Sequence, residues 1–575
     1  MTTQRLRLGR HAARVQSALE QLQRDRVVAR IWDRDASIWS ADPKVQADIR
    51  NRLGWLRMPD AMMSQAPSFA AIARDVRQAG CTHALLLGMG GSGLYPEVCR
   101  HLFGVGPDGL DLALLDSTDP AAVRLAQARC PLSKLLVLIS SKSGTTSETS
   151  ALLRYFYGAF EAAGLEAGAH CIAITDEGTP LAEQARRLKF RRLIAHGPDS
   201  GADVGGRFSA VVGFGLLPAA LLGADLPRLL RSEQEMLRQC GPSIPASENP
   251  AAQLAAVLGI LAQEGRDKMT LLVSPALASF GAWAEQLVAE STGKLGKGIA
   301  PILGEPLREL NAYGQDRVFV ELQLAGRPDA ALERHAAALM EAGHPVVQIH
   351  WNDAYDLGGE VIKWSVATSL TGVLLGINPF DEPNVKESKD LTQALLQRFI
   401  QDGRLPEEPP ACADARAAVF GALPQKPASP AEALRGLFQQ LRPGECVTLL
   451  SFLPRLPELD RALAEMRRLL AERTPHATML GIGPRYLHST GQLFKGGPDA
   501  GIFLLFTGES GEDLPIPGEP FTFGILKSAQ ALGDFQAMRQ KRRRILRLHL
   551  RGNLEEALRS CLGVIDEAAA SVPRR

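Results

Sequence analysis

"LLLGMGGSGL" (residues 85–94) runs from three leucines straight into glycine. An apolar run that ends in glycines and opens into a helical pattern reads as a buried parallel strand turning into a helix N-terminus. Gly88, Gly90 and Gly93 match the spacing G-x-G-x-x-G, and Asp116 ends the next apolar run, where a ribose-binding acid would stand. The same grammar continues outward. "LDLALLDST" (110–118), "KLLVLISSKSG" (134–144), "AHCIAITD" (169–176) and "FRRLIAHG" (190–197) are short apolar runs between helical segments. This alternation predicts an α/β fold built on doubly wound parallel sheets, with ligands at the carboxyl ends of the strands.

The third of these runs bears on what the glycine loop holds. "LLVLISSKSGTTSET" (135–149) passes from buried strand into Ser, Lys, Ser, Gly, Thr, Thr and Ser. A dinucleotide does not need that loop, whereas a phosphate monoester does. Clustered hydroxyls and backbone N–H groups at a helix N-terminus donate several hydrogen bonds to one dianion. A polar turn with Glu148 closing a capping box explains the same residues, and spacing alone leaves both readings open.

The chain has 575 residues, too many for one hydrophobic core. Residues 1–65 read as amphipathic helix, 66–240 as a first α/β unit, and 241–403 as a second, entered through "SENPAAQLAAVLG" and "KMTLLVSP". "RLPEEPPACADA" (404–415) reads as a linker. Residues 416–575 then echo the second unit. "NPAAQLAAVLG" resembles "SPAEALRGLFQ", "DKMTLLVSP" resembles "ECVTLLSFL", "NAYGQ" resembles "HSTGQ", and "AYDLGGEVIKW" resembles "PFTFGILKSAQ". Pro250 and Pro430, Thr270 and Thr448, and Gly314 and Gly491 repeat at offsets of 180, 178 and 177 residues. The third unit is therefore predicted to be a partly duplicated copy of the second. The copies differ in chemistry: the first holds Glu290, and the second places His488 where the first has Asn311.

Formal net charge is +1, with 45% hydrophobic and 22% charged residues, so the whole-chain balance predicts neither a nucleic-acid nor a membrane partner. The basic run "RQKRRRILRLHLR" (539–551) reads as a helix entering a strand with a solvated charged face. Eight cysteines show no C-x-x-C pair and no histidine cluster at metal spacing. That predicts no metal, no disulfide framework and a reducing, cytoplasmic location. The N-terminus has no apolar signal core, and no apolar run is long enough to span a bilayer.

Taken together, "GMGGSGL", "SSKSGTTSET", "VGGRFS" (204–209), "EQLVAESTGK" (285–294), "GINPFDEPNVKESKD" (376–390) and "LHSTGQ" (487–492) resemble the signature segments of the phosphoglucose isomerase family, over roughly residues 80–535. The likeness is greatest to the isomerase half of bifunctional transaldolase–phosphoglucose isomerase proteins. It implies sugar-isomerase (SIS) domains, interconversion of glucose 6-phosphate and fructose 6-phosphate through a cis-enediol, no cofactor, and transaldolase as a candidate partner. It assigns the phosphate to Ser141, Ser143, Thr146 and the backbone near Lys142, with Thr145 beside them, and the approach of the sugar to Gly91 and Ser92. A glycine there leaves room for the ligand. Glu290 is implied as the base that moves the proton between C2 and C1, and Arg207 as the cation facing the enediolate. Gln286 is implied as a hydroxyl ligand, with Lys389 and His488 at ring opening. Three departures stand out. Ser143 replaces a threonine, Glu382 replaces a glutamine, and His488 follows Lys389 in the chain instead of preceding it. In the family the histidine comes from a neighbouring subunit; together with the repeat, this leads to the expectation that the chain carries its own donor half and can be active as a monomer. A catalytically silent sugar-phosphate sensor and a dinucleotide oxidoreductase are the competing readings. A sensor needs only the phosphate loop, which the four residues Glu290, Arg207, Lys389 and His488 exceed.

Overall fold

The computed structural model describes residues 2–509 and 511–570. It opens with a strand where the sequence predicts only helix. β1 (Thr3–Arg7) pairs antiparallel with a strand more than 300 residues away, Thr3 facing His350. Nothing local marks five mostly polar residues as a strand, because the open edge they complete belongs to another part of the chain. Helices Ala12–Arg24, Val27–Trp32 and Pro43–Arg50 follow, as the amphipathic pattern predicts.

The opening leucines form β2 (His83–Gly88), whose last five residues are buried. Helix α1 (Gly91–Phe103) starts directly after it. With β3 (Asp111–Leu115), β4 (Leu135–Ser140), β5 (Cys171–Asp176) and β6 (Arg192–His196), β2 makes a fully parallel sheet of order β3-β2-β4-β5-β6. Helix α2 (Ser147–Ala162) follows β4. The glycine loop and the serine-threonine loop thus leave the carboxyl ends of adjacent central strands, where open α/β sheets bind ligands.

The second sheet contains β7 (Lys268–Val273), β8 (Ala300–Leu303), β9 (Arg317–Leu324) and β10 (Val346–Trp351) in the order β1-β10-β9-β7-β8, parallel except for β1. Helix α3 (Ala278–Thr292) joins β7 to β8, α4 (Ala330–Glu341) joins β9 to β10, and α5 (Asp356–Leu375) and α6 (Pro383–Asp402) come after. The third sheet holds β11 (Cys412–Ala413), β12 (Ala417–Phe420), β13 (Cys446–Ser451), β14 (Ala477–Ile482), β15 (Gly501–Gly508) and β16 (Arg544–Leu550), in the order β11-β12-β16-β15-β13-β14. Its helices are α7 (Pro457–Arg473), α8 (Phe523–Gln540) and α9 (Leu554–Ala570). β11 lies inside the stretch read as linker.

Sheets two and three share one topology. Each has an antiparallel strand beside its fourth, third, first and second parallel strands in turn. Thr270 and Thr448 lie in the two first strands, and Asn311 and His488 lie in the turns after the two second strands. The fourth sequence echo fails this test. "AYDLGGEVIKW" enters α5, after a fourth strand, whereas "PFTFGILKSAQ" enters α8, after a third. Gly, Lys and aliphatic residues at helical spacing produced that likeness without shared position.

The third unit is packed into the other two. Phe523, Leu526 and Ala529 of α8 join the core built on β2 and β4. Lys527 pairs with Asp119 at 2.8 Å, both buried. Glu305, after β8, accepts from the Thr478 backbone N–H of β14 at 2.8 Å. The basic run 539–551 is exposed over residues 539–542, and much of its charge is paired locally. Arg539 pairs with Glu408, Lys541 with Glu387 and Arg544 with Glu445, while Arg547 is buried against the Phe420 ring and bonded to Glu407.

Candidate active site

Gly90 and Gly91 close the end of β2 against other parts of the protein. A Cβ on Gly91 would lie 2.2 Å from the Gly206 carbonyl oxygen. One on Gly90, whose φ is +54°, would lie 2.7 Å from Gln286 Nε2 and 2.9 Å from the His488 carbonyl oxygen. The glycines therefore admit protein backbone and side chains from three segments, a tighter demand than room for a sugar. Ser92 is buried, and its carbonyl accepts from Ser140 Oγ at 3.1 Å.

Those three segments carry the charged residues singled out from the sequence. Arg207, 4% exposed in the turn Gly206–Val211, donates from Nε to Ser291 Oγ (2.8 Å). Its Nη2 donates to the Pro379 and Asp381 carbonyls (2.7 and 3.0 Å) and its Nη1 to Glu382 Oε2 (3.0 Å). The same Nη1 lies 3.6 Å from Glu290 Oε1. Four contacts fix the guanidinium with one edge toward two carboxylates, a preorganised cation. Glu290 is buried on α3. One turn earlier on the same face, Gln286 donates from Nε2 to Glu290 Oε2 (3.1 Å) and to the His488 carbonyl (2.9 Å). Burial, and next the opposing pull of Arg207 and push of Glu382, leave the Glu290 carboxyl above the usual carboxylate range.

The third unit brings His488 here. Its Nε2 sits 2.8 Å from Oε1 of Glu148, which also accepts from Gln530 Nε2 of α8 at 2.8 Å. The Gln530 carbonyl in turn accepts from buried Thr118 (2.7 Å). Burial alone would push the Glu148 carboxyl up, but the His488 charge and hydrogen bond, with backbone and Ser147 bonds, hold it at about 2. Glu148 is thus no capping box. Thr146 is the N-cap of α2 without a side-chain cap bond, and its hydroxyl meets Ser141 Oγ at 2.9 Å. Ser143 Oγ meets Thr145 Oγ1 at 2.9 Å. These four hydroxyls cluster in the loop before a four-turn helix, and a helix N-terminus favours an anion. The backbone of Lys142 lies within this loop, and only its side chain turns away. Its ammonium is committed to Asp176 and to the Ala202 carbonyl.

Lys389 lies on α6, whose Asn384 backbone N–H donates to Gln492, four residues past His488. Lys389 itself is exposed and makes no hydrogen bond or ion pair with the described residues. Lys294 takes a place at Arg207. It is buried at the end of α3, and its Nζ donates to the Asp381 carbonyl and to Oδ1 (2.5 and 2.7 Å). Burial, then Arg207, push its ammonium down to about 8. The sequence held a signal for it, the lysine ending "STGK", four residues beyond Glu290. Glu148 and Gln530 were harder to find, since their roles depend on contacts across more than 300 residues. Among the described residues no group of three or more His, Cys, Asp and Glu side chains could hold a metal, and no helix is long and apolar enough to cross a membrane.

Parallel sheets with ligand loops at their carboxyl ends, and charged residues converging from all three units, define an α/β protein of the sugar-isomerase class. A hypothetical protein from Thermus thermophilus superposes with a TM-score of 0.58 at 24% identity, over 68% of this chain and 99% of that one. A glucose-6-phosphate isomerase from Chlamydia trachomatis superposes with a TM-score of 0.58 at 19% identity, over 69% and 89%. No family model matches the chain. The glucose-6-phosphate isomerase of Thermosynechococcus vestitus is 30% identical over 418 residues, covering 65% of this chain and 76% of that protein. That of Enterococcus faecalis is 30% identical over 305 residues, covering 45% of this chain and 66% of its own length, so the match spans just under two thirds of that relative. The chain belongs to the glucose-6-phosphate isomerase family.

Proposed function

We propose that this chain interconverts glucose 6-phosphate and fructose 6-phosphate, the reaction after which its relatives are named, and that one chain contains the whole site. The observation that carries the reading is the convergence of Glu290, Arg207 and His488, from three different segments, beside a serine-threonine phosphate loop. The phosphate sits on Ser141, Ser143, Thr145, Thr146 and the N-terminus of α2, which orients the reacting carbons. His488, held by the Glu148 carboxylate, exchanges a proton with the ring oxygen or the anomeric hydroxyl as the ring opens. Glu290 takes the proton from C2 and returns it to C1, and Gln286 fixes its carboxylate. Arg207 and Lys294 face the negative charge that develops on the enediolate oxygens. Lys389 has no step in this scheme.

Because His488 comes from the third unit, the proposal includes activity in the monomer. The test couples fructose 6-phosphate conversion to a dehydrogenase that reads glucose 6-phosphate. Wild type turns over at a rate unaffected by dilution, and Glu290→Gln loses at least about a thousandfold in kcat. An inactive wild type that still binds fructose 6-phosphate would make the protein a sensor. Activity that fades on dilution would place the complete site in an oligomer.

A further inference from the structure

The family pattern has a glutamine where this chain has Glu382, and the structure shows what the substituted carboxylate touches. Glu382 Oε2 is 3.0 Å from Arg207 Nη1, the nitrogen that lies 3.6 Å from Glu290 Oε1. Two carboxylates thus share one guanidinium nitrogen, and Glu382 holds the nearer position. The Glu382 side chain is 36% exposed, against 10% for Glu290, so the more buried acid is left with the weaker partner.

The charges around them can be enumerated. Arg207 and Lys294 are the cations, and Glu290, Glu382 and Asp381 are the acids. Glu382 adds to this cluster one negative charge that a glutamine at 382 would not. His488 approaches from the third unit, but its ring is already paired with Glu148. Arg52 lies toward Glu382. The other elements packed on α3 bring charges already matched: Glu97 of α1 with Arg485, Glu360 of α5 with Lys363, and Lys495 with Asp534. Glu285, on α3 itself, faces Arg467 and Arg485.

From this arrangement we infer that Glu382 tunes the proposed base: it draws Arg207 away from Glu290, keeps Glu290 protonated to a higher pH, and shields Arg207 from anionic groups at the reacting end of a ligand. The inference rests on Glu290 being the base in the isomerase reading above. Glu382 is a positioning residue here, acting through Arg207. The shift of Glu290 above the ordinary range, with Glu382 among its causes, agrees in direction.

The experiment is the pH profile of kcat/KM for fructose 6-phosphate, with 6-phosphogluconate as a competitive probe bearing a carboxylate at its reacting end. In Glu382→Gln the acid limb moves down by at least half a pH unit, because Glu290 ionises beside a less occupied arginine. The probe binds at least fivefold tighter, because Arg207 Nη1 opens to its carboxylate. Glu382→Ala moves both readouts in the same sense, whatever it does to kcat. An acid limb and probe affinity unchanged in Glu382→Gln, with normal wild-type activity and an inactive Glu290→Gln, would overturn this inference alone. An active Glu290→Gln would overturn the isomerase reading beneath it.

Discussion

Replacing Glu148 by glutamine keeps the shape of the side chain and removes the charge on which His488 and Gln530 converge. The buried carboxyl is held at about 2 from an ordinary value of 4.5. That gap is worth about 3 kcal/mol at roughly 1.4 kcal/mol per pH unit. The carboxyl is depressed in the folded state, so its contribution is complete above pH 4.5 and disappears as the pH falls from there toward 2. At pH 7 the variant should therefore lose up to about 3 kcal/mol, a fall of several degrees in Tm. The difference from wild type should narrow steadily between about pH 4.5 and 3. Calorimetric scans of both proteins at pH 7, 5, 4 and 3 measure this. Activity provides an independent reading: with His488 unanchored, kcat/KM should drop by about a hundredfold or more. A Tm difference that is the same at pH 3 as at pH 7 would mean that lost packing, and not lost charge, had been measured. An unchanged Tm at pH 7 would refute the coupling of the first and third units through this carboxylate.

Two further results are expected. Gly91→Ala should lower Tm and abolish activity, because its Cβ would meet the Gly206 carbonyl at 2.2 Å, while Gly206→Ala, whose Cβ meets nothing within 4 Å, should leave Tm unchanged; equal Tm values for the two variants in thermal scans would contradict the packing described. Glu233 is fully buried with neither carboxylate oxygen hydrogen-bonded, and burial holds its carboxyl well above the ordinary range, so it costs stability increasingly as pH rises above 4.5. Glu233→Met should raise Tm at pH 7 by several degrees and the gain should shrink near pH 4, as measured by the same scans.

The parts of this molecule legible in its sequence are those fixed by local pattern. The apolar runs of β2, β4 and β5 could only be buried parallel strands, and Gln286 and Glu290, four residues apart on a helix, had to share a face. The parts that were not legible depend on partners far along the chain. β1 exists because β10 offers an edge, Glu148 turns to His488 instead of capping its own helix, and the glycine loop is narrow because Gln286 and the His488 backbone press on it. Lys389 matches a motif in sequence and stands exposed on α6, so the motif alone does not say what its ammonium reaches. Motif position fixes which helix a side chain is on, but the packing of that helix decides what the side chain reaches.

The repeated topology also bears on how many sites a chain can hold. The helix joining the first two strands of sheet two is α3, and its counterpart in sheet three is α7. At the repeat offsets of 177 and 178 residues that flank it, Glu290 of α3 corresponds to Arg467 or Arg468 of α7, an arginine either way. Arg467 is buried and spent on the β14 strand, donating to Thr478 Oγ1 and to the Thr478 carbonyl. A guanidinium fixed there cannot act as a proton acceptor. The third unit has His488 without a counterpart of Glu290, the proposed base, and the second has Glu290 with Asn311 in the histidine's place. On the proposed reading each unit lacks the group the other supplies, and the two together furnish one site. Covalent linkage then holds His488 at Glu148 with no association step. Under that proposal neither unit is held to the other's chemistry, which fits a shared sheet order with only scattered echoes in the sequence.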